Sequence, residues 1–247
     1  MCKSFIALLL SLSFIISILS TVTSAGQIFT NCAIEGTAAI TFDDGPSMWT
    51  HELLDFLNTK GISATFFVNG NNVECIYDYA DIILRIHQEG HLIGSHTWSH
   101  PDLTSLSKTE VSNQIVSLEK ALKKIVGLVP KYFRPPFGSY NDEVLNTIES
   151  HGYTTVLWDI DTEDSAGRSV EHGLGTYSSS DGPPSSHIVL NHDIFQTTCQ
   201  ELGPRGIQIY LDKGFKLMTV AECMGDTDWY QYTTTPSGRD STWSCSG

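Results

Sequence analysis

The sequence predicts an α/β protein of one domain, built on a parallel sheet or a barrel, and three observations predict it. From residue 37 onward, short apolar runs of strand length alternate with longer runs whose apolar residues recur at helical spacing. The chain has 247 residues, a length that one α/β barrel domain often fills. Hydrophobic residues make up 40% of it, enough for a real core and too many for a disordered chain.

The elements follow in order. Residues 37–42 form the first strand candidate, and 49–58 a helix with Leu53, Leu54 and Leu57 on one face. Residues 64–68 read as the next strand. Residues 79–89 are helical, with Ile82, Ile83 and Ile86 as the stripe and Gly90 as the stop signal. A short strand at 92–94 precedes a long helix opened by Ser107, in which Val111, Ile115, Leu118 and Leu122 recur at helical spacing. Ser107 and Glu110 make a capping box. Strands at 132–133, 154–158, 188–190 and 216–218 complete the series. Such alternation places a site at the C-terminal ends of the strands. Two stretches fall outside it. Residues 165–186, rich in Gly, Ser and Pro, read as a long substrate-facing loop. Residues 226–247 read as a polar, partly ordered tail, with a linker or a sugar-contacting strip of Trp229, Tyr230, Tyr232 and Trp243 as the alternative.

The first segment is an address. Lys3 precedes an apolar run over 5–19, and Thr23-Ser24-Ala25 supplies small residues for cleavage, so 1–25 reads as a secretory signal. The run is shorter than the roughly 20 residues a membrane-spanning helix needs. The mature domain, 26–225, is therefore expected to be secreted, extracellular or in a cell wall, with no membrane contact and as a monomer. Its charge excludes other classes. Fourteen Lys plus Arg stand against 28 Asp plus Glu, a net of -14, where a nucleic-acid binder or a polybasic membrane-surface protein needs a basic face.

Export changes how cysteines read. Cys2 leaves with the signal, and Cys32, Cys75, Cys199, Cys223 and Cys245 enter an oxidising compartment, where disulfides are expected. Cys32 lies before the first main strand and Cys223 after the last, so their pairing would close the domain. For the others, spacing gives no connectivity. Cys75 with Cys199 is the pairing considered, and one thiol must remain odd.

Five motifs carry chemistry. In Thr41-Phe42-Asp43-Asp44-Gly45-Pro46 an apolar strand runs into two adjacent acids, which repel unless something cationic offsets them. In His96-Thr97-Trp98-Ser99-His100 two imidazoles four residues apart suit a divalent metal. Two His and one carboxylate with open positions form a recognised catalytic metal layout, leaving the second Asp free as a base. Arg134-Pro135-Pro136-Phe137-Gly138 offers a stiffened arginine that can pin a carboxylate. Trp158-Asp159-Ile160-Asp161-Thr162-Glu163-Asp164 and Leu190-Asn191-His192-Asp193 could pair a histidine with a carboxylate that raises its pKa. Each segment alone can also be read blandly, as an Asp-rich turn, exposed histidines or capping acids.

In this order the motifs resemble the polysaccharide deacetylases with a NodB-homology domain, carbohydrate esterase family four, and within them the secreted fungal chitin deacetylases. The resemblance spans residues 36–225. It implies a distorted (β/α) barrel of the NodB-homology type, with Asp43 as catalytic base and Asp44, His96 and His100 as ligands of a divalent metal, zinc first and cobalt second. It also implies Arg134 as partner of Asp43, His192 as general acid and Asp161 as partner of that acid. Trp98, Pro136, Phe137 and Leu190 are assigned to the substrate face, with core packing as the alternative. The implied substrate is chitin or chitooligosaccharide. Acetyl xylan esterase on the same site, bacterial-type peptidoglycan deacetylase, and a non-catalytic chitin-binding protein are the rivals. Two positions depart from the family pattern. Ser165 follows Asp164 where Trp is usual, and Phe137 stands where many members carry Tyr.

Overall fold

The structure, a computed structural model, describes residues 27–245, so the expected signal at 1–25 lies outside the described residues. A short β1 (Ile28–Phe29) precedes β2 (Thr37–Asp43), whose seven residues are all buried. The strongly periodic segments follow where the pattern put them: α1 (Thr50–Lys60), β3 (Thr65–Val68), α2 (Ala80–Gln88), β4 (Leu92–Ser95) and α3 (Lys108–Ile125). The capping box is formed, with Ser107 and Glu110 each accepting from the other's backbone N–H. Then come β5 (Leu128–Pro130), β6 (Tyr132–Phe133), α4 (Asp142–Ser150), β7 (Thr154–Val156), β8 (Ile160–Asp161), α5 (Val170–Ser179), β9 (His187–His192), α6 (Gly203–Asp212), β10 (Lys216–Leu217), α7 (Val220–Cys223) and β11 (Tyr230–Thr233).

Among the described residues nine strands form one sheet, in the order β1-β7-β6-β4-β3-β2-β9-β8, with β10 beside the start of β2. Every pairing in it is parallel. The path ends on β1 and β8, which do not pair with each other, so the barrel stays open and distorted. No helix among the described residues is long and apolar enough to cross a membrane.

The strand period of two sorts the side chains. Ala38, Ile40 and Phe42 point outward into the main core, where Phe42 stacks on Phe66 at 5.4 Å under the helices. Ala39 joins the smaller cluster inside the curve, with Phe67, Leu92, Val156 and Ile188. Thr41 and Asp43 continue the Ala39 row, and that alternation is what aims the first acid of the motif inward.

Three expectations are corrected. Residues 165–186 are not one loop, because α5 lies inside them. The tail is tied down: β11 pairs antiparallel with β5, and Cys75 is bonded to Cys245, not to Cys199. Among the described residues Cys199 is the free cysteine, buried, its thiol donating to the Asp193 carbonyl at 3.3 Å. Cys32 and Cys223 form the other disulfide, and each bridge joins segments far apart in sequence, 191 and 170 residues. Links of that span remove a large share of unfolded-chain freedom, a contribution of about 2–4 kcal/mol each.

Candidate active site

Arg134 follows β6 and is fully buried. Its Nη1 donates to Thr41 Oγ1 at 2.7 Å and to Asp43 Oδ1 at 2.8 Å, its Nη2 to the Leu157 carbonyl at 2.8 Å, and its Nε to the Val156 carbonyl at 3.3 Å. The guanidinium also lies 4.2 Å from the centre of the Phe67 ring. These bonds fix the guanidinium against the Asp43 carboxylate. Burial pushes the Asp43 carboxyl up, the Arg134 and His192 charges pull it back, and it settles at about 6. Arg134→Met should therefore lower stability by about 3–5 kcal/mol, because the Asp43 carboxylate keeps its burial and loses its counter-ion. A drop in denaturant midpoint checks this, and an unchanged midpoint would show the pair to be expendable.

Asp44 takes a left-handed backbone, φ 75°. Its Oδ1 lies 3.2 Å from His100 Nε2 and 3.6 Å from His96 Nε2. One ligand atom from each residue falls within 4.8 Å of the others. His96 Nδ1 lies 2.6 Å from the Arg134 carbonyl, so that nitrogen donates and Nε2 keeps its lone pair for the site. Burial holds the His96 imidazole well below its usual range and lowers that of His100, so both are neutral, the form that binds metal. Two neutral imidazoles and a carboxylate, open on one side, fit a catalytic divalent ion.

Opposite stands His192, at the end of β9 beside Asp43 at the end of β2. Its carboxylate partner is Asp164, not Asp161. Asp164 Oδ1 lies 2.7 Å from His192 Nδ1, and Oδ2 accepts from the His192 N–H and Thr198 Oγ1, both at 2.8 Å. Asp161 instead accepts from the Glu163 N–H at 2.8 Å, and the turn that this bond closes, with Glu163 at φ 54°, carries Asp164 to the histidine. Asp161 stays on the wall of the pocket. Burial disfavours the charged imidazole, but the Asp164 hydrogen bond and charge, helped by Asp43 and Asp44, outweigh it and hold His192 at about 9.

These groups open on a pocket of about 400 Å³ whose apolar walls are Pro135, Phe137, Trp158 and Leu190, with Ser165 and Ala166 on the side where the family pattern has Trp. Phe137, 66% exposed and at φ 60°, packs its ring edge-on against His100 at 4.6 Å. Two expected substrate contacts are corrected. Pro136 is buried in the turn behind the wall. Trp98 points away and fills the space over Gly70, where a Cβ would meet its ring at 1.9 Å. Trp158, read as the end of a strand and the head of the fourth motif but not as a substrate contact, is an aromatic wall of the pocket.

Asp193 is a second omission. Its carboxyl sits under Gly45, where a Cβ would lie 2.3 Å from Oδ2, and accepts from Thr50 Oγ1 at 2.5 Å. Burial pushes it up to about 7. It supports the turn that follows Asp44, so the fifth motif supplies both an acid and a foundation.

A family model described as polysaccharide deacetylase matches residues 30–156. A chitin deacetylase of a Pestalotiopsis species is 42% identical over 209 residues, covering 83% of this chain and 70% of that one. A chitin deacetylase of Colletotrichum lindemuthianum is 37% identical over 210 residues, covering 81% of this chain and 85% of that one. The solved structure of the chitin deacetylase from that fungal pathogen superposes with a TM-score of 0.81 at 36% identity, covering 86% of this chain and 98% of that one.

Proposed function

Because the chain belongs to the polysaccharide deacetylase family, we propose that it removes N-acetyl groups from chitin or its oligomers, giving the free amine and acetate. The observation that carries the reading is the pairing of opposed groups across one pocket. Asp43, held ionised by Arg134, and His192, held protonated by Asp164, end neighbouring strands and line the same pocket as Asp44, His96 and His100.

Asp44, His96 and His100 would hold a divalent ion, zinc by the nature of its donors. When bound, it supplies Lewis acidity toward the acetamide carbonyl and lowers the pKa of water. Asp43 accepts the proton of the attacking water. Its place one residue before Asp44 puts base and ligand set within reach of the same substrate atom. The Phe137 backbone N–H donates to the oxyanion as the carbonyl carbon becomes tetrahedral. His192 then gives its proton to the leaving nitrogen. An amide requires that step, since an amine anion is too poor a leaving group, and a histidine protonated up to about 9 is suited to it. Pro135, Phe137, Trp158 and Leu190 enclose the acetyl group and one face of the sugar. The two disulfides support export, and with it a working place outside the cell or in its wall.

Acetate release from chitin pentamer and from acetylated xylan, side by side, with chelator and with added zinc, tests the reading. Release from the pentamer that chelator stops and zinc restores is the expected result. Release from xylan alone moves the activity to ester hydrolysis on the same groups. Release from neither makes the chain a binding protein.

A further inference from the structure

The loop after β3 touches both segments that carry the metal ligands, yet none of the five motifs includes it. Asn69 is 2% exposed and closes that strand. Its backbone N–H donates to the Gly45 carbonyl at 2.9 Å, one residue beyond Asp44. Its side-chain amide donates to the carbonyls of His96 and Thr97, the second at 3.0 Å. The N–H groups of Gly70 and Asn71 both reach the Trp98 carbonyl, at 3.0 and 2.6 Å. Thr97 and His100 sit at φ 78° and 57°, where a side chain strains the backbone, and these bonds are what hold that segment. One loop thus braces the turn of Asp44 and the turn of both histidines.

Beyond it, the exposed Asn72 closes the circuit. Its amide donates to Asn69 Oδ1 at 3.2 Å and to Asp44 Oδ1 at 3.4 Å. That Asp44 oxygen is also the one 3.2 Å from His100 Nε2. The far end of the loop is fixed as well, since Cys75 is bonded to Cys245.

We propose that Asn72 is a positioning residue for Asp44, setting the rotation of its carboxylate toward His96 and His100 while Asn69 fixes Asn72 in turn. A carboxylate with no outer partner can swing about its Cβ–Cγ bond and offer either oxygen. A donor held on Oδ1, the oxygen that faces His100 and His96, limits that freedom, and an amide does so without the charge that would repel a cation. The inference rests on Asp44, His96 and His100 being the metal ligands.

The test is zinc affinity, measured on the metal-free protein by competition with a chromophoric chelator. Asn72→Ala should bind zinc about tenfold more weakly. Because Asn72 is exposed, the melting temperature of the metal-free variant should match that of the parent. At saturating zinc its KM for chitin pentamer should also match. An affinity within twofold of the parent overturns the proposal, and if KM rises at the same time, Asn72 contacts substrate instead. A parent protein that binds no zinc removes the metal site and the positioning role together, whereas a parent that binds zinc beside an unaltered variant removes only the latter.

Discussion

Asp43→Asn should lower kcat for acetate release by roughly 10³-fold or more, at the upper end of what a positioned base contributes. Asn has the shape of Asp and still accepts from Arg134, but it cannot take a proton from water. The guanidinium does not become an orphan, because Thr41 and the carbonyls of Val156 and Leu157 keep accepting from it. Calorimetric titration with chitin pentamer should give the parent's affinity, since nothing that encloses the sugar has changed. Turnover near the parent level would transfer the role of base to another group. The ionised base also sets an acid limb: activity should fall as pH drops through about 6, where the buried carboxyl takes up its proton. A bound cation would pull that limb lower.

The second large effect separates two carboxylates three residues apart. Asp164→Asn should move the alkaline limb of kcat/KM down by ~1–3 units, whereas Asp161→Asn should leave it in place. The sign follows from the directions of the shifts. His192 is active as the imidazolium, and its pKa is raised, so activity is present below about 9 and lost as pH rises through it. Burial alone would lower that pKa. Taking away the Asp164 charge and its hydrogen bond leaves burial unopposed, and the proton is lost at lower pH. If Asp161→Asn moved the limb and Asp164→Asn did not, the pairing seen between Asp164 and His192 would be irrelevant to the reaction. The folded state should lose stability in the same direction in the parent, because the raised His192 pKa stabilises below its unfolded value and ceases to do so above about 9.

What could be read in the sequence, and what could not, divides along physical lines. Segments whose apolar residues repeat at one clean period were legible, as in Leu53, Leu54 and Leu57 or Ile82, Ile83 and Ile86, because burial follows that repeat directly. So was the pair His96 and His100, whose type and spacing suit a metal and which the fold gathers beside Asp44. The helix α5 was hidden by its glycines. Gly173 looks like a breaker, but it packs closely, since a Cβ there would meet a Leu202 methyl at 2.8 Å. The strand β11 was hidden because its partner β5 lies about a hundred residues upstream, and Tyr232 facing Val129 leaves no local trace. Asp164 was missed for a third reason. Asp161 and Asp164 are the same residue type on the same turn, and only the left-handed step at Glu163 decides which one reaches His192.

The place of β2 in the sheet also dictates an order of events while the chain folds. One edge of β2 finds β3 early, Thr41 against Thr65, only a helix away in sequence. Its other edge must wait for β9, Ala38 against His187 through Asp43 against His192, and its first residues for Lys216 and Leu217 of β10. Until most of the chain has emerged, the seven-residue strand that carries the base presents unpaired N–H and C=O groups along a whole side. Contacts of such long separation close slowly, on the millisecond-to-second scale, and they leave an edge open to wrong partners meanwhile. The step that brings Asp43 beside His192 is therefore also the step that covers the long open edge of β2.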